Sequence, residues 1–137
     1  MARQLVDTTA LIDFSKGFEP STSCIKQMLA SGDEVGVCSV IVAEIFAGLP
    51  PHRHQDWTTF LSALIYWPIS LAASRQAGEW RYAFARRGIQ VAMMDSLIAA
   101  VADEIGATIV TSNTKDFPMG VPVFDPRTWS PQSGTTP

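Results

Sequence analysis

Strands alternating with helices along this chain predict a three-layer α/β/α domain with a mainly parallel central sheet. Three observations carry that reading. Short apolar runs recur at residues 4–6, 34–38 and 107–111. Longer stretches between them place apolar residues at three- and four-residue spacing, as a buried helix face requires. Glycine or proline closes those stretches at Gly32, Pro50, Gly88 and Gly106.

Taken in order, residues 4–6 form the first strand and 8–14 the helix that follows it. Residues 20–30 form a second helix, with Ser21 and Thr22 as capping candidates and Ser31-Gly32-Asp33 as its stop. Glu34–Cys38 is the second strand and runs straight into a helix over 39–49, which Pro50-Pro51 ends. Residues 52–64 are helical through Trp57, Phe60, Leu61 and Leu64, and 65–68 make a weak strand or connector. Residues 70–87 form a long helix closed by Gly88, with Arg86 and Arg87 suiting its C-terminal dipole. A helix over 95–105 opens on Asp95, turns at Gly106 and leads into the strand 107–111, and 121–124 is a weak last strand. Residues 1–126 are thus one domain, and 127–137, rich in Pro, Ser, Thr and Gly, form a mobile C-terminal tail.

Composition narrows the class. Hydrophobic residues at 47% against 17% charged exclude a mainly disordered chain. No apolar run reaches the ~18 residues of a membrane span, and Glu44 interrupts the greasiest one. Asp7 and Asp13 inside the first apolar stretch do not fit a secretory leader. Cys24 and Cys38 make no disulfide framework, so the expected compartment is a reducing cytoplasm. His52 and His54 flank Arg53 after the double proline and read as surface residues. The net charge of −3 argues at first sight against a polyanionic partner. If Asp7, Glu44, Asp95 and Asp116 share one metal-filled pocket, the other nine acids only balance the ten bases, and that argument lapses.

Those four acids have a common address. In a parallel sheet, sites form at the carboxyl ends of strands. Asp7 directly follows the first strand, although a helix N-cap would by itself justify an Asp there. Asp95 admits the same bland explanation at the head of its helix. Asp116 follows the strand 107–111 in a turn-rich stretch where solvated Asp is common. The helix 95–105 travels ~16 Å and the strand returns about as far, so Asp95 and Asp116 finish on one edge. Glu44 has the weakest bland reading. Its neighbours in V-I-V-A-E-I-F-A-G-L are apolar or small on every side, as in a buried helix. A buried carboxylate without compensation costs several kcal/mol or takes up a proton. It lies about a turn and a half into a helix whose side chains lean back toward the same edge.

Four crowded carboxylates stay ionised only with a cation among them. Oxygen ligands without His or thiolate favour Mg²⁺, or Mn²⁺, over Zn²⁺. Such ions keep several waters and engage phosphate oxygens, which points to hydrolytic attack of an activated water on phosphorus.

The segments D-T-T-A-L-I-D (7–13), S-V-I-V-A-E-I-F-A-G-L (39–49), M-D-S-L-I-A-A-V-A (94–102) and T-S-N-T-K-D-F (111–117), in this order and spacing, resemble the PIN-domain ribonucleases. The resemblance is nearest to the VapC toxins of bacterial toxin–antitoxin pairs and spans residue 3 to about 125. It implies an acidic quartet at Asp7, Glu44, Asp95 and Asp116. It also implies small polar positions at Thr8 or Thr9, Thr111 and Asn113. Ser96 stands where the family often has alanine. The resemblance further implies Mg²⁺- or Mn²⁺-dependent cleavage of RNA, a homodimer, and a small antitoxin that blocks the site in a heterotetramer or larger assembly. Arg53, Arg81, Arg86, Arg87 and Lys115 are then candidates for RNA contact. The stripe Trp57, Phe60, Leu61, Leu64 either packs on the domain's own core or lines a groove for an antitoxin helix. Two other readings share the fold class. A phosphoryl-receiver domain wants paired acids after strand one, where this chain has Asp7 followed by two threonines. A non-catalytic nucleic-acid-binding module would keep the fold without turnover.

Overall fold

The computed structural model describes residues 1–131. The expected tail from residue 127 onward therefore falls mostly on 132–137, outside the described residues. Strands β1 (Arg3–Val6), β2 (Glu34–Cys38), β3 (Ile65–Trp67), β4 (Ala107–Val110) and β5 (Val123–Phe124) form one sheet ordered β3-β2-β1-β4-β5. Every neighbouring pair is parallel, as the alternation of strands and helices predicts. The helices are α1 (Thr8–Ser15), α2 (Ser21–Ala30), α3 (Ser39–Ala47), α4 (His54–Ser62), α5 (Leu71–Arg86) and α6 (Met93–Ile105).

The strand order explains where a site can form. The chain steps outward from β1 to β2 to β3, then crosses back to lay β4 on the other side of β1. Right-handed crossovers put α1–α4 on one face and α5–α6 on the other. At their carboxyl ends, β1 and β4 send the chain in opposite directions, and this leaves a crevice between them. The core fills both faces of the central strands, with Leu5, Val6, Ile109 and Val110 fully buried. At Gly36 in β2, an added Cβ would collide with the Ile65 carbonyl and lie 2.6 Å from the Trp67 ring, so β3 can pair closely only against glycine.

Several boundaries differ from the sequence reading for local reasons. Helix α6 begins at Met93, two residues before Asp95, and Ala92 takes the N-cap geometry without a side-chain bond. The segment 52–64 divides into a 3₁₀ turn over Pro51–Arg53, with proline at its head, and then α4. Helix α3 stops at Ala47 before the prolines, and its outer face is exposed at Ala43 and Ala47. The solvent-facing stripe beside Glu44 is thus built of alanines, which hydrophobicity cannot distinguish from core. The stripe on α4 packs inward: buried Trp57 meets Phe60 edge-on at 5.4 Å, and Phe60 stacks on Phe14 at 5.6 Å. Among the described residues no helix is long and apolar enough to cross a membrane.

Ahead of residue 132, Arg127 is tied to the domain. Its guanidinium grips the buried Asp13 carboxylate with Nε 3.0 Å from Oδ2 and Nη2 3.2 Å from Oδ1, while Ser21 Oγ donates to the same Oδ2 at 3.0 Å. These contacts hold the Asp13 carboxyl below its usual range, with Arg127 the largest influence.

Candidate active site

Asp7 leaves the end of β1 in extended conformation and caps α1, accepting from the Thr8 backbone N–H at 2.8 Å. Its other oxygen accepts from Thr111 Oγ1 at 2.9 Å, across the seam to the end of β4. The cap and the site are therefore one carboxylate. Asp7 is only 7% exposed, and burial pushes its pKa up. The bonds from Thr8 and Thr111 pull it back, and the charge of Asp116 raises it again.

Glu44 leans from α3 over the same edge, where Thr8 Oγ1 donates to its Oε1 at 3.3 Å. Burial raises its pKa first, and the charge of Asp7 adds to that. Asp95 sits in the first turn of α6, and no side-chain cap bond holds it. Its pKa is pushed up to about 6, by burial first and then by the charges of Asp116, Asp7 and Glu44. Asp116 ends a 3₁₀ turn over Thr114–Asp116 beyond β4. Each acid thus lies within electrostatic reach of at least one other, and Asp95 feels all three.

Small polar groups tie the edge together. Thr9 Oγ1 lies 3.5 Å from Thr111 Oγ1 and accepts from the Ser112 N–H at 3.3 Å, fastening α1 to the loop after β4. The Asn113 N–H donates to Thr111 Oγ1 at 3.1 Å, so Asn113 meets the cluster through its backbone while its side chain lies exposed. At the β2–β3 end, Ser39 Oγ and Tyr66 Oη are 2.7 Å apart. That pair escapes a sequence reading because only the register of β3 on β2 brings the two hydroxyls together. His54 lies outside the cluster, its Nε2 3.3 Å from the Leu49 carbonyl oxygen.

Among the described residues, no three acids close into a cage that would hold an ion. The donor set still fits a hard divalent cation. It offers carboxylate and hydroxyl oxygen only, and its acids raise one another's pKa, which a bound positive charge would relieve. Mg²⁺ takes one or two carboxylates directly and reaches others through its waters, so an open ring suits it better than a closed cage.

Comparison with known proteins places the fold among described relatives. Ribonuclease VapC19 of Mycobacterium tuberculosis is 28% identical over 118 residues, 85% of this chain and 93% of that relative. A DNA-bound VapBC from Salmonella typhimurium superposes with a TM-score of 0.78 at 23% identity, covering 92% of this chain and 99% of the other. A toxin–antitoxin complex from Klebsiella pneumoniae gives 0.74 at 23% identity over 92% and 98%. The PIN domain family matches residues 5–118, which contain all four acids. That match spans most of the chain, and the chain belongs to the PIN-domain family.

Proposed function

We propose that this protein is a divalent-metal-dependent endoribonuclease serving as the toxin of a toxin–antitoxin pair. The observation that carries the reading is the placement of the acids at the carboxyl edge of a parallel sheet, where Thr8 bonds both Asp7 and Glu44 and Thr111 ties Asp7 to the loop that carries Asp116. The naming of its curated relative as a ribonuclease supports RNA as the substrate. In this reading Asp7, Asp95 and Asp116, with Glu44, would hold Mg²⁺ or Mn²⁺. When bound, such a cation would supply an activated water and neutralise charge gathering on the phosphate. Thr111 fixes the orientation of Asp7, and Thr8 does the same for Glu44 through its hydroxyl. Asn113 shapes the loop that brings Asp116 to the edge.

The partner follows from the same relatives, several of which are toxin–antitoxin complexes. A small antitoxin would cover the acidic edge, and the toxin would pair as a homodimer. Beside that edge, Val37, Val42, Phe46, Leu61 and Tyr66 line an open apolar cleft of about 310 Å³ suited to a partner helix. Leu61 thus serves both the core and the cleft.

The test is incubation of the purified chain with RNA in Mg²⁺, in Mn²⁺ and in EDTA, beside Asp95→Asn. Cleavage that requires the metal and disappears in the variant is expected. Cleavage that persists in EDTA would sink the metal reading, and RNA binding without turnover would favour the non-catalytic module.

A further inference from the structure

Helix α5 outruns its partner. Ser70 Oγ donates to Glu104 at 2.6 Å and Ser96 Oγ to the Ala77 carbonyl at 2.8 Å, which sets α5 antiparallel to α6 with Ala77 beside Ser96. Arg86 lies nine residues beyond Ala77, about 14 Å farther along the axis at 1.5 Å per residue. Helix α6 begins only three residues before Ser96. The end of α5 therefore stands out past the acidic edge, in the direction toward which Asp95 leans from the first turn of α6.

This projection is built rather than frayed. Arg81 Nε donates to the Val91 carbonyl at 2.8 Å, and the Ile89 N–H returns to the Phe84 carbonyl at 2.9 Å. Phe84 and Val91 are 9% and 6% exposed, yet neither belongs to the main core cluster. On the outside of the projection, the Arg86 guanidinium lies 4.3 Å over the ring of Tyr82, which is 65% exposed, and Arg87 lies 5.4 Å over Phe84. Residues 80–94 contain three arginines and no carboxylate, in a chain of net charge −3. Among the described residues the ion pairs engage Arg3, Arg75 and Arg127, not Arg86 or Arg87.

We propose that the α5 tip is a docking surface for single-stranded RNA flanking the cleavage point. Arg86 and Arg87 hold phosphates there, and Tyr82 offers a face to an unstacked base. The inference rests on the ribonuclease reading and adds to it where the substrate is gripped. A polyanion approaching four carboxylates is repelled unless cations stand along its path, and these two stand farther out along α5, each over an aromatic ring. A guanidinium already stacked on a ring loses less freedom on binding a phosphate than a free side chain. Exposed aromatic faces beside basic groups are how proteins seat single strands.

The test measures binding of a fluorescent single-stranded RNA to the full chain at several salt concentrations in EDTA, and cleavage in Mg²⁺. It compares wild type, Arg86→Gln/Arg87→Gln, Arg86→Lys/Arg87→Lys, and Arg75→Gln on the same helix as a control. Loss of two phosphate contacts should weaken binding roughly tenfold and flatten the log–log salt slope by about 1.4. kcat/KM should fall with affinity while kcat at saturating RNA holds. The lysine pair should keep the slope, and Arg75→Gln should match wild type. A glutamine pair that binds with the wild-type slope overturns the proposal. So does an unchanged slope with an altered mass in light scattering, which would make the tip a protein contact. Absence of cleavage by wild type with the slope change intact would sink the ribonuclease reading and leave the docking surface standing.

Discussion

Thr111 and Asp7 meet across the seam of β1 and β4, with the Thr111 hydroxyl donating to Asp7 Oδ2 at 2.9 Å. Val6 and Val110 are register partners, so the two residues are the next step beyond the ladder on each strand. The backbone agrees: the Asp7 N–H donates to the Val110 carbonyl at 2.9 Å. Pairing of the two central strands thus delivers a buried donor to a buried carboxylate at the crevice.

Thr111→Val should leave Asp7 with the Thr8 N–H alone and raise its pKa further. A hydrogen bond to a charged acceptor contributes about 1.5–3 kcal/mol, so the ion should bind on the order of tenfold more weakly. Titration of Mn²⁺ against cleavage checks this. An unchanged metal midpoint would mean that Thr111 only shapes the fold.

Stability of the metal-free protein should fall as pH rises from about 4 to about 6. Asp95 moves from its ordinary 3.8 to about 6, and Asp7 and Glu44 shift the same way. The native state then binds more protons than the unfolded chain in that window, which gives a negative slope with pH. After allowing for the partial exposure of Asp95, its share is about 1–2 kcal/mol. Melting in EDTA between pH 4.5 and 7.5 should show a decline of a few degrees, and Mg²⁺ at neutral pH should recover it. A melting temperature that climbs across this range would contradict the crowding of the acids.

Asp95→Asn and Asp7→Ala should part company. The first removes a repelled charge that makes no capping bond, so in EDTA at pH 7 it should melt above wild type while losing cleavage. The second also removes the cap of α1, worth about 1 kcal/mol, which offsets the relief of repulsion. Its melting temperature should lie below that of Asp95→Asn. Equal melting of the two variants would show that the cap contributes nothing.

Arg127→Ala should lower stability without touching kcat. It leaves the Asp13 carboxylate, 6% exposed, with only Ser21 as side-chain donor. A loss of stability is expected, smaller than for a fully buried pair because Arg127 itself is more than half exposed. In wild type the pair contributes above pH ~4 and is lost as pH falls through the lowered Asp13 pKa. The difference between variant and wild type in denaturant melts should therefore be full at pH 7 and shrink as pH falls through the lowered Asp13 pKa.

Gly36→Ala should cost about 1–3 kcal/mol or more, since its Cβ would meet the backbone of β3 rather than a movable side chain. The variant should also expose Trp67, and its fluorescence reports this. Wild-type stability in the variant would mean that β3 can shift outward freely.

The sequence by itself determined the alternation of strands and helices, the parallel sheet, and the positions of the acids at strand ends. These are local matters: β-branched runs, helical periodicity and glycine stops such as Gly106, whose positive φ of 68° ends α6. The start of α6 was hidden because Ala92 carries no capping side chain, so Asp95 looked like the first residue of the helix. Only the tertiary structure decided which groups meet. Asp13 finds Arg127 across 114 residues, and Thr111 finds Asp7 across 104. Ser39 reaches Tyr66 through the β2–β3 register, and the Ser96–Ala77 bond sets how far α5 projects past the acids. Chain-distant pairing depends on how whole elements pack, and side-chain periodicity along one element carries no record of the register it takes against the next.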